Sequence, residues 1–205
     1  MKKIIMAALL AIAATGVWAS AEVPPDVLAR SVTDEVLAIV KADKELMAGN
    51  NPQKVAQLVE TKVLPHFNFV RMTQLAVGRN WRQASADQQK VLTEEFKTLL
   101  VRTYTSAFTG YRNQTIEYRP LRMAPSDTDV VVKSLIKQPA GQPIAIDYSM
   151  EKLAGAWKVY DVKIEGISLV ENYRNTFNNE IQRGGVDGLI RTLSDKNRVL
   201  AQAKR

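Results

Sequence analysis

A strand that passes almost directly into a helix, within residues 156–181, limits the possible folds of this chain more than any other segment. Its first half is rich in aromatic and β-branched residues, which strands favour, and Glu165-Gly166 then supplies a two-residue corner. Ser168 and Glu171 have the spacing of a capping box, so a helix is predicted to begin there. Because the corner is so short, the apolar side of this helix must turn back against the sheet. That side consists of Leu169, Val170, Tyr173, Phe177 and Ile181.

Residues 1–21 have the features of a cleaved export signal. Two lysines precede an apolar segment, residues 4–14, that is too short to span a membrane, and small residues lead up to Ala21. We therefore expect Glu22 to begin a soluble mature chain. The simplest location for such a chain is the periplasm of a double-membrane bacterium.

The composition argues against several kinds of site. The sequence has no cysteine, which rules out disulfides and thiolate metal sites, and one histidine, which rules out a histidine-cluster metal site. That histidine, His66, follows Pro65 at a helix break, so a half-buried or capping role is simpler than a catalytic triad. The net charge of +7 suits anionic partners, but export and the lack of a dense basic cluster argue against nucleic acid.

Helical periodicity dominates the first half of the chain and a period of two dominates the third quarter. Helices are predicted over 26–47, 52–63, 69–77 and about 85–109, with Asn51, Asn68 and Ser85 as capping residues. Strands are predicted over 114–121, 128–137, 142–152 and 156–165, joined by hairpin-length turns into an antiparallel meander. The helix that follows should end at Arg183-Gly184-Gly185, before a final helix. The chain is therefore predicted to be one α+β domain.

Acidic residues offer few candidates for catalysis. Glu94 and Glu95 face different sides of a predicted helix, which is typical of solvated positions. Asp161 is mid-strand and Arg174 is one turn into the next helix, so an ion pair between them would clamp that helix to the sheet. A role for the same pair in binding a lipid headgroup stays open.

Five groups of residues carry a family resemblance. They are Pro65-His66-Phe67-Asn68-Phe69; Ala76-Val77-Gly78-Arg79-Asn80-Trp81; Phe96 with Leu99-Leu100 and Tyr104; Trp157-Lys158-Val159-Tyr160-Asp161-Val162; and Gly166-Ile167-Ser168-Leu169-Val170 leading into Asn172-Tyr173-Arg174 and Phe177. The last group is the longest and the most specific. Over nearly all of the mature chain, the sequence resembles the MlaC or toluene-tolerance family of periplasmic phospholipid-binding proteins.

The resemblance implies a nuclear-transport-factor-like fold: a curved, four-stranded antiparallel sheet wrapped by N- and C-terminal helices around an internal lipid cavity. It implies a single phospholipid-binding domain over 22–205 that is not an enzyme, holds no metal or cofactor and does not insert stably into a membrane. Its implied role, in the Mla pathway, is to carry phospholipid between an outer-membrane lipoprotein complex and an inner-membrane ABC transporter with an MCE-domain subunit. That transport would maintain the lipid asymmetry of the outer membrane.

On this interpretation, two apolar walls enclose the acyl chains. The sheet would supply Val132, Ile136, Ile144, Ile146, Tyr148 and Met150, and the helices would supply Tyr104, Phe108, Leu169, Tyr173 and Phe177. Periodicity alone cannot separate such a wall from an ordinary packed core. Two alternatives therefore stay open: an enzyme of the same fold with Asp161 as a base, and a chaperone-type adaptor with a solid core and an external apolar groove.

Overall fold

The computed structural model describes residues 23–49, 51–104, 114–139 and 141–202. Within these ranges the chain is an α+β protein with helices before and after one antiparallel sheet, which confirms the predicted fold class. The predicted export signal, residues 1–21, and Phe108 of the predicted lipid site lie outside the described residues.

The first predicted helix is divided in two at Asp43. Helix α1 covers Pro25–Ala42 and helix α2 covers Lys44–Ala48. Asp43 has an extended backbone (φ −120°), and its carboxylate accepts hydrogen bonds from two amides in the first turn of α2, at 2.9 and 3.1 Å. The prediction of one continuous helix over 26–47 is therefore wrong. The Asp43 carboxylate accepts from the free amides at the start of a second helix.

The caps predicted for the next three helices are confirmed. These are α3 (Pro52–Leu58), which continues through a π-helical turn (Val59–Val63) and a 3-10 turn (Leu64–His66); α4 (Phe69–Val77), which is followed by a 3-10 turn (Gly78–Gln83); and α5 (Ala86–Tyr104). Asn51 and Asn68 each accept a hydrogen bond from the third amide of the following helix, at 3.0 and 3.1 Å. The amide of Ser85 donates to Oε1 of Gln88 at 2.9 Å, and the amide of Gln88 donates to Oγ of Ser85 at 3.2 Å.

The sheet is an antiparallel meander in the order β1-β2-β3-β4-β5. Its strands are β1 (Thr115–Tyr118), β2 (Asp129–Lys137), β3 (Ile144–Leu153), β4 (Ala156–Ile164) and β5 (Ile167–Ser168). The described residues thus contain the four predicted strands and a fifth of two residues. A bulge interrupts the β3–β4 register: Ser149 pairs with Asp161 and Met150 pairs with Val159, so Tyr160 is the extra residue.

Helix α6 covers Leu169–Gln202 and is broken at Gly185. Gly185 has φ 67° and ψ −170°, a conformation that favours glycine, so α6 consists of two helical segments that meet at this residue. The break confirms the helix end predicted at Arg183-Gly184-Gly185.

Buried apolar residues form three clusters. The bundle core joins α4, α5 and α6; the sheet core covers one face of β1–β4; and the N-terminal core joins α1, α2 and α3. Phe67 packs against both the bundle core and the sheet core, next to a backbone bridge to Val159 at the open edge of β4. The segment just before α4 is therefore one of the links between the helical bundle and the sheet.

Candidate functional site on the inner face of the sheet

One face of the sheet, called here the inner face, is almost entirely apolar. It consists of Ile116, Tyr118, Val130, Val132, Ser134, Ile136, Ile144, Ile146, Tyr148, Met150, Trp157, Val159, Val162 and Ile164. The register explains the arrangement, because Tyr148 pairs with Val132 on one side and with Val162 on the other. The structure therefore brings all six residues of the predicted sheet wall onto one face.

The inner face has a sealed zone and an accessible zone. In the sealed zone, Val132, Met150 and Trp157 are 0, 1 and 3 % exposed. The accessible zone consists of half-buried residues: Ile116, Ile136, Ile144, Tyr148, Val162 and Ile164. Val132 and Met150 of the predicted wall thus belong to a packed core, whereas Ile136, Ile144 and Tyr148 retain surface that a ligand could contact.

Tyr148 lies in the accessible zone, paired with Val132 on one side and Val162 on the other. Burial raises the pKa of the Tyr148 phenol well above 10, with the nearby Tyr118 adding to the effect and a hydrogen bond with Ser134 opposing it. The same side chain is only half-buried by its accessible surface. Because the Tyr148 side chain keeps accessible surface on the apolar inner face, a ligand could contact it, and we identify the accessible zone as the candidate site.

The helix that covers the inner face is α1, not α6. Leu28 and Ala29 of α1 pack against the sheet core together with Phe67. The hydroxyl of Tyr118 donates to the carbonyl of Ala29 at 3.0 Å and lies 2.6 Å from Oγ1 of Thr33. These contacts were not predicted from the sequence, although the apolar side of α1 could have indicated a helix packed on the sheet.

The helical wall predicted for the lipid site packs elsewhere. Tyr104, Tyr173 and Phe177 lie in the bundle core, where the ring of Phe96 makes edge-on contacts with Tyr173 (5.1 Å) and Phe177 (5.0 Å). Phe177 is 2 % exposed, so it offers no surface to a ligand, and Leu169 is half-buried at the start of α6. Tyr104, Tyr173 and Phe177 therefore do not face the inner face, which corrects their predicted place; α1 and Phe67 pack there instead. A role for Leu169 in the lipid site stays a prediction.

Asp161 caps α6 and does not pair with Arg174. Its carboxylate accepts hydrogen bonds from Oγ of Ser168 at 2.6 Å and from the amide of Val170 at 3.2 Å. The predicted Asp161–Arg174 pair is absent from the ion pairs of the described residues, which corrects the predicted partner of Asp161. Asp161 nevertheless ties α6 to the sheet, because a buried carboxylate on β4 accepts from the amide of Val170 in the first turn of the helix.

The remaining candidates are structural. His66 is half-buried, and burial lowers its pKa from 6.5, with the charge of Lys158 acting in the same direction. Glu94 is exposed beside Lys97, as predicted, but Glu95 is half-buried and accepts a hydrogen bond from Asn197 at 2.7 Å. Over the described ranges, no cluster of three or more His, Cys, Asp or Glu side chains could hold a metal ion.

These features define a class of protein: an α+β domain in which helix α1 packs on part of an apolar sheet face and the rest of that face keeps accessible apolar surface. No helix in the described part of the chain has the length and apolarity needed to cross a bilayer. A solved phospholipid-binding protein from Ralstonia solanacearum, in complex with a phospholipid at 1.53 Å resolution, has the same fold with a TM-score of 0.79. The two chains are 46 % identical, and the match covers 86 % of this chain and 98 % of that one.

The chain belongs to the MlaC family, whose sequence profile, described as MlaC protein, matches residues 30–195. The intermembrane phospholipid transport system binding protein MlaC of Haemophilus influenzae is 26 % identical over 175 residues, which is 84 % of this chain and 81 % of that protein. The toluene tolerance protein ttg2D of Pseudomonas putida is 27 % identical over 187 residues, covering 91 % and 85 % of the two chains.

Proposed function

We propose that this chain is a periplasmic phospholipid carrier. The observation that carries the proposal is the apolar surface around Tyr148, which lies on the helix-covered face of the sheet and is still accessible. Acyl chains need such a surface. The R. solanacearum relative, at 46 % identity, was solved with a phospholipid bound, which supports the same class of ligand here.

The energetics of lipid transfer favour an enclosed site. A diacyl lipid has roughly 30 methylenes, and exposing them to water at about 0.8 kcal/mol each would cost more than about 20 kcal/mol. A carrier must therefore cover most of both chains. The accessible zone of the inner face is the site for the acyl chains, and the polar headgroup remains near water.

The carrier moves lipid between an outer-membrane lipoprotein complex and an inner-membrane ABC transporter with an MCE-domain subunit, and so maintains outer-membrane lipid asymmetry. Removal of residues 1–21 as an export signal would place the mature chain between those two membranes. The name of the H. influenzae relative, a binding protein of an intermembrane phospholipid transport system, supports this role.

The two alternative functions have less support. Asp161 would be a poor catalytic base, because it is 7 % exposed and already accepts two hydrogen bonds that cap α6. A chaperone-type adaptor would need its apolar groove on the outside. The apolar surface identified here lies on the covered face of the sheet, whereas the outer face carries polar residues such as Lys133 and Asp147.

The test is a transfer experiment with the mature chain, residues 22–205, loaded with deuterated phospholipid. The loaded chain is incubated with nanodiscs that contain the MCE-domain transporter or with empty nanodiscs, and the label in the recovered discs is measured by mass spectrometry. We expect more label in the transporter discs. Equal label in both would contradict the shuttle, and a chain that takes up no lipid would contradict the carrier itself.

Two variants on the same strand provide a matched control. Ile136→Asp places a charge in the accessible zone and should abolish loading, because an unpaired charge is costly beside acyl chains. Val131→Asp places the same charge on the outer face, where Val131 is 42 % exposed, and should load normally. If both variants load alike, the site does not lie on the inner face.

A further inference from the structure

A second concavity lies on the helical bundle, outside the inner face of the sheet. It is a cleft of about 280 Å³ between the 3-10 turn after α4 and the first segment of α6. We call it the arginine–amide cleft after its lining residues, which are Arg79, Asn80, Gln83, Asn178 and Gln182. All five side chains are polar and none is acidic, so the chemistry of the cleft differs from that of the apolar inner face.

The walls of the cleft are held in place by internal contacts. Trp81, between the lining residues of the 3-10 turn, is 8 % exposed and anchors the turn in the bundle core. Nε2 of Gln89 donates to the carbonyls of Trp81 and Ala84, at 2.9 and 3.3 Å. Across the cleft, Nδ2 of Asn80 donates to Oδ1 of Asn178 at 3.2 Å. A ligand would therefore meet a preorganised surface, which lowers the entropic cost of binding.

The charge of the cleft is positive and not neutralised. Arg174, one turn before Asn178 on α6, lies over Gly78, where an added Cβ would be 3.3 Å from its Nε. Within the described ranges, neither Arg174 nor Arg79 forms an ion pair. Glu180, the acidic residue of α6 closest in sequence to Asn178, instead accepts from Thr192 at 3.0 Å. In the described part of the chain, the guanidinium group of the lining residue Arg79 and that of Arg174, beside Gly78, thus have no acidic partner.

The amides decide between the possible anions. A lipid phosphodiester or an isolated carboxylate only accepts hydrogen bonds, so it would use the N–H groups of the lining amides and leave the carbonyls of Gln83 and Gln182 to water. A peptide segment with acidic side chains offers both carboxylates for the arginines and N–H groups for those carbonyls. We infer that the arginine–amide cleft binds a short acidic segment of a partner protein. The cleft volume suits one or two side chains of such a segment.

The identity of the partner rests on the proposed function: it would be one of the membrane complexes with which the carrier exchanges lipid. The chemistry of the cleft does not depend on that function. The whole chain carries +7, of which Lys2 and Lys3 of the predicted signal contribute two, so the mature chain stays positive and would also steer an acidic partner towards the cleft.

The test is an NMR titration of the isotope-labelled mature chain with the blocked peptide Ala-Glu-Ala-Asp-Ala. We expect chemical-shift changes at the backbone amides of residues 78–83 and at the side-chain amides of Asn80, Gln83, Asn178 and Gln182. The matched peptide Ala-Gln-Ala-Asn-Ala, inorganic phosphate at equal ionic strength and vesicles of anionic phospholipid are the comparison probes. Each should change these signals much less than the acidic peptide does.

Variants make the result decisive. Arg79→Gln with Arg174→Gln should weaken peptide binding about tenfold or more, because charge-assisted contacts are lost. Arg198→Gln, which removes the same charge at an exposed position beside Asp195, should bind as the parent does. Equal binding of the neutral peptide, of phosphate or of vesicles, or no effect of the double variant, would overturn the inference. The lipid content of each variant is measured separately, so failure of the cleft and failure of the carrier are distinguishable.

Discussion

Truncating Phe177 and Ile136 should separate the folding core from the lipid site. Phe177 is 2 % exposed and contacts the rings of Phe96 and Tyr173 at 5.0 and 5.5 Å. Phe→Ala changes in cores cost about 3–5 kcal/mol, so we expect Phe177→Ala to lower the free energy of unfolding by about 4 kcal/mol. Ile136 is half-buried on the accessible zone. Ile136→Ala should therefore cost only about 1 kcal/mol, roughly half of what the lost apolar groups contribute when fully buried.

The assay combines urea unfolding with the phospholipid content of each purified variant. Phe177→Ala should remain folded, since domains have about 5–15 kcal/mol of stability, and should retain lipid. Ile136→Ala should lose little stability and release lipid more readily. The opposite pattern, in which Phe177→Ala loses lipid at a cost below about 1 kcal/mol, would refute the assignment of α6 to a packed core and restore it to the lipid wall.

Three further changes test the structural account. Asp161→Ala should lower the free energy of unfolding by about 2–3 kcal/mol in urea titrations, because a buried amide at the start of α6 loses a charged acceptor; a loss below about 0.5 kcal/mol would contradict the cap. His66 should titrate below 6.5 in NMR spectra, where its signal is unambiguous because it is the only histidine. Since the unfolded chain then binds the proton more readily, stability should fall as the pH drops through 6.5, and His66→Gln should flatten this dependence; a midpoint above 6.5 would contradict the effect of burial. Gly78→Ala should cost about 2 kcal/mol, because Gly78 has φ 64° and Arg174 lies against it, and an unchanged unfolding midpoint would show that the turn tolerates a side chain.

Local chemistry made most of the fold predictable. The caps Asn51, Asn68 and Ser85 were identifiable because each side chain accepts from the backbone amide three residues further along the chain. The change in period at the start of the sheet likewise located four strands. The capping role of Asp43 was not predicted, because a capping aspartate within an apolar periodic pattern looks the same in the sequence as a solvated charge. β5 was missed because two residues show no alternation.

The partners of each apolar face could not be predicted from spacing. The interval between Tyr173 and Phe177 shows that one side of α6 is buried. It does not show whether that side packs on Phe96 or on the sheet. The predicted partner of Asp161 was wrong for the same reason. A cation was predicted, but the Asp161 carboxylate accepts from a hydroxyl and an amide supplied by the following turn. In both cases the partner is set by tertiary contacts between elements. Those contacts depend on the direction in which each chain segment leaves the sheet.

The most direct measurement of the central claim is mass spectrometry of organic extracts from the mature chain, purified from the periplasm without detergent. If the accessible zone around Tyr148 encloses acyl chains, the extract will contain phospholipid in an amount comparable with that of the protein, and Ile136→Asp will reduce it while Val131→Asp will not. A folded chain that is repeatedly free of phospholipid would contradict the claim.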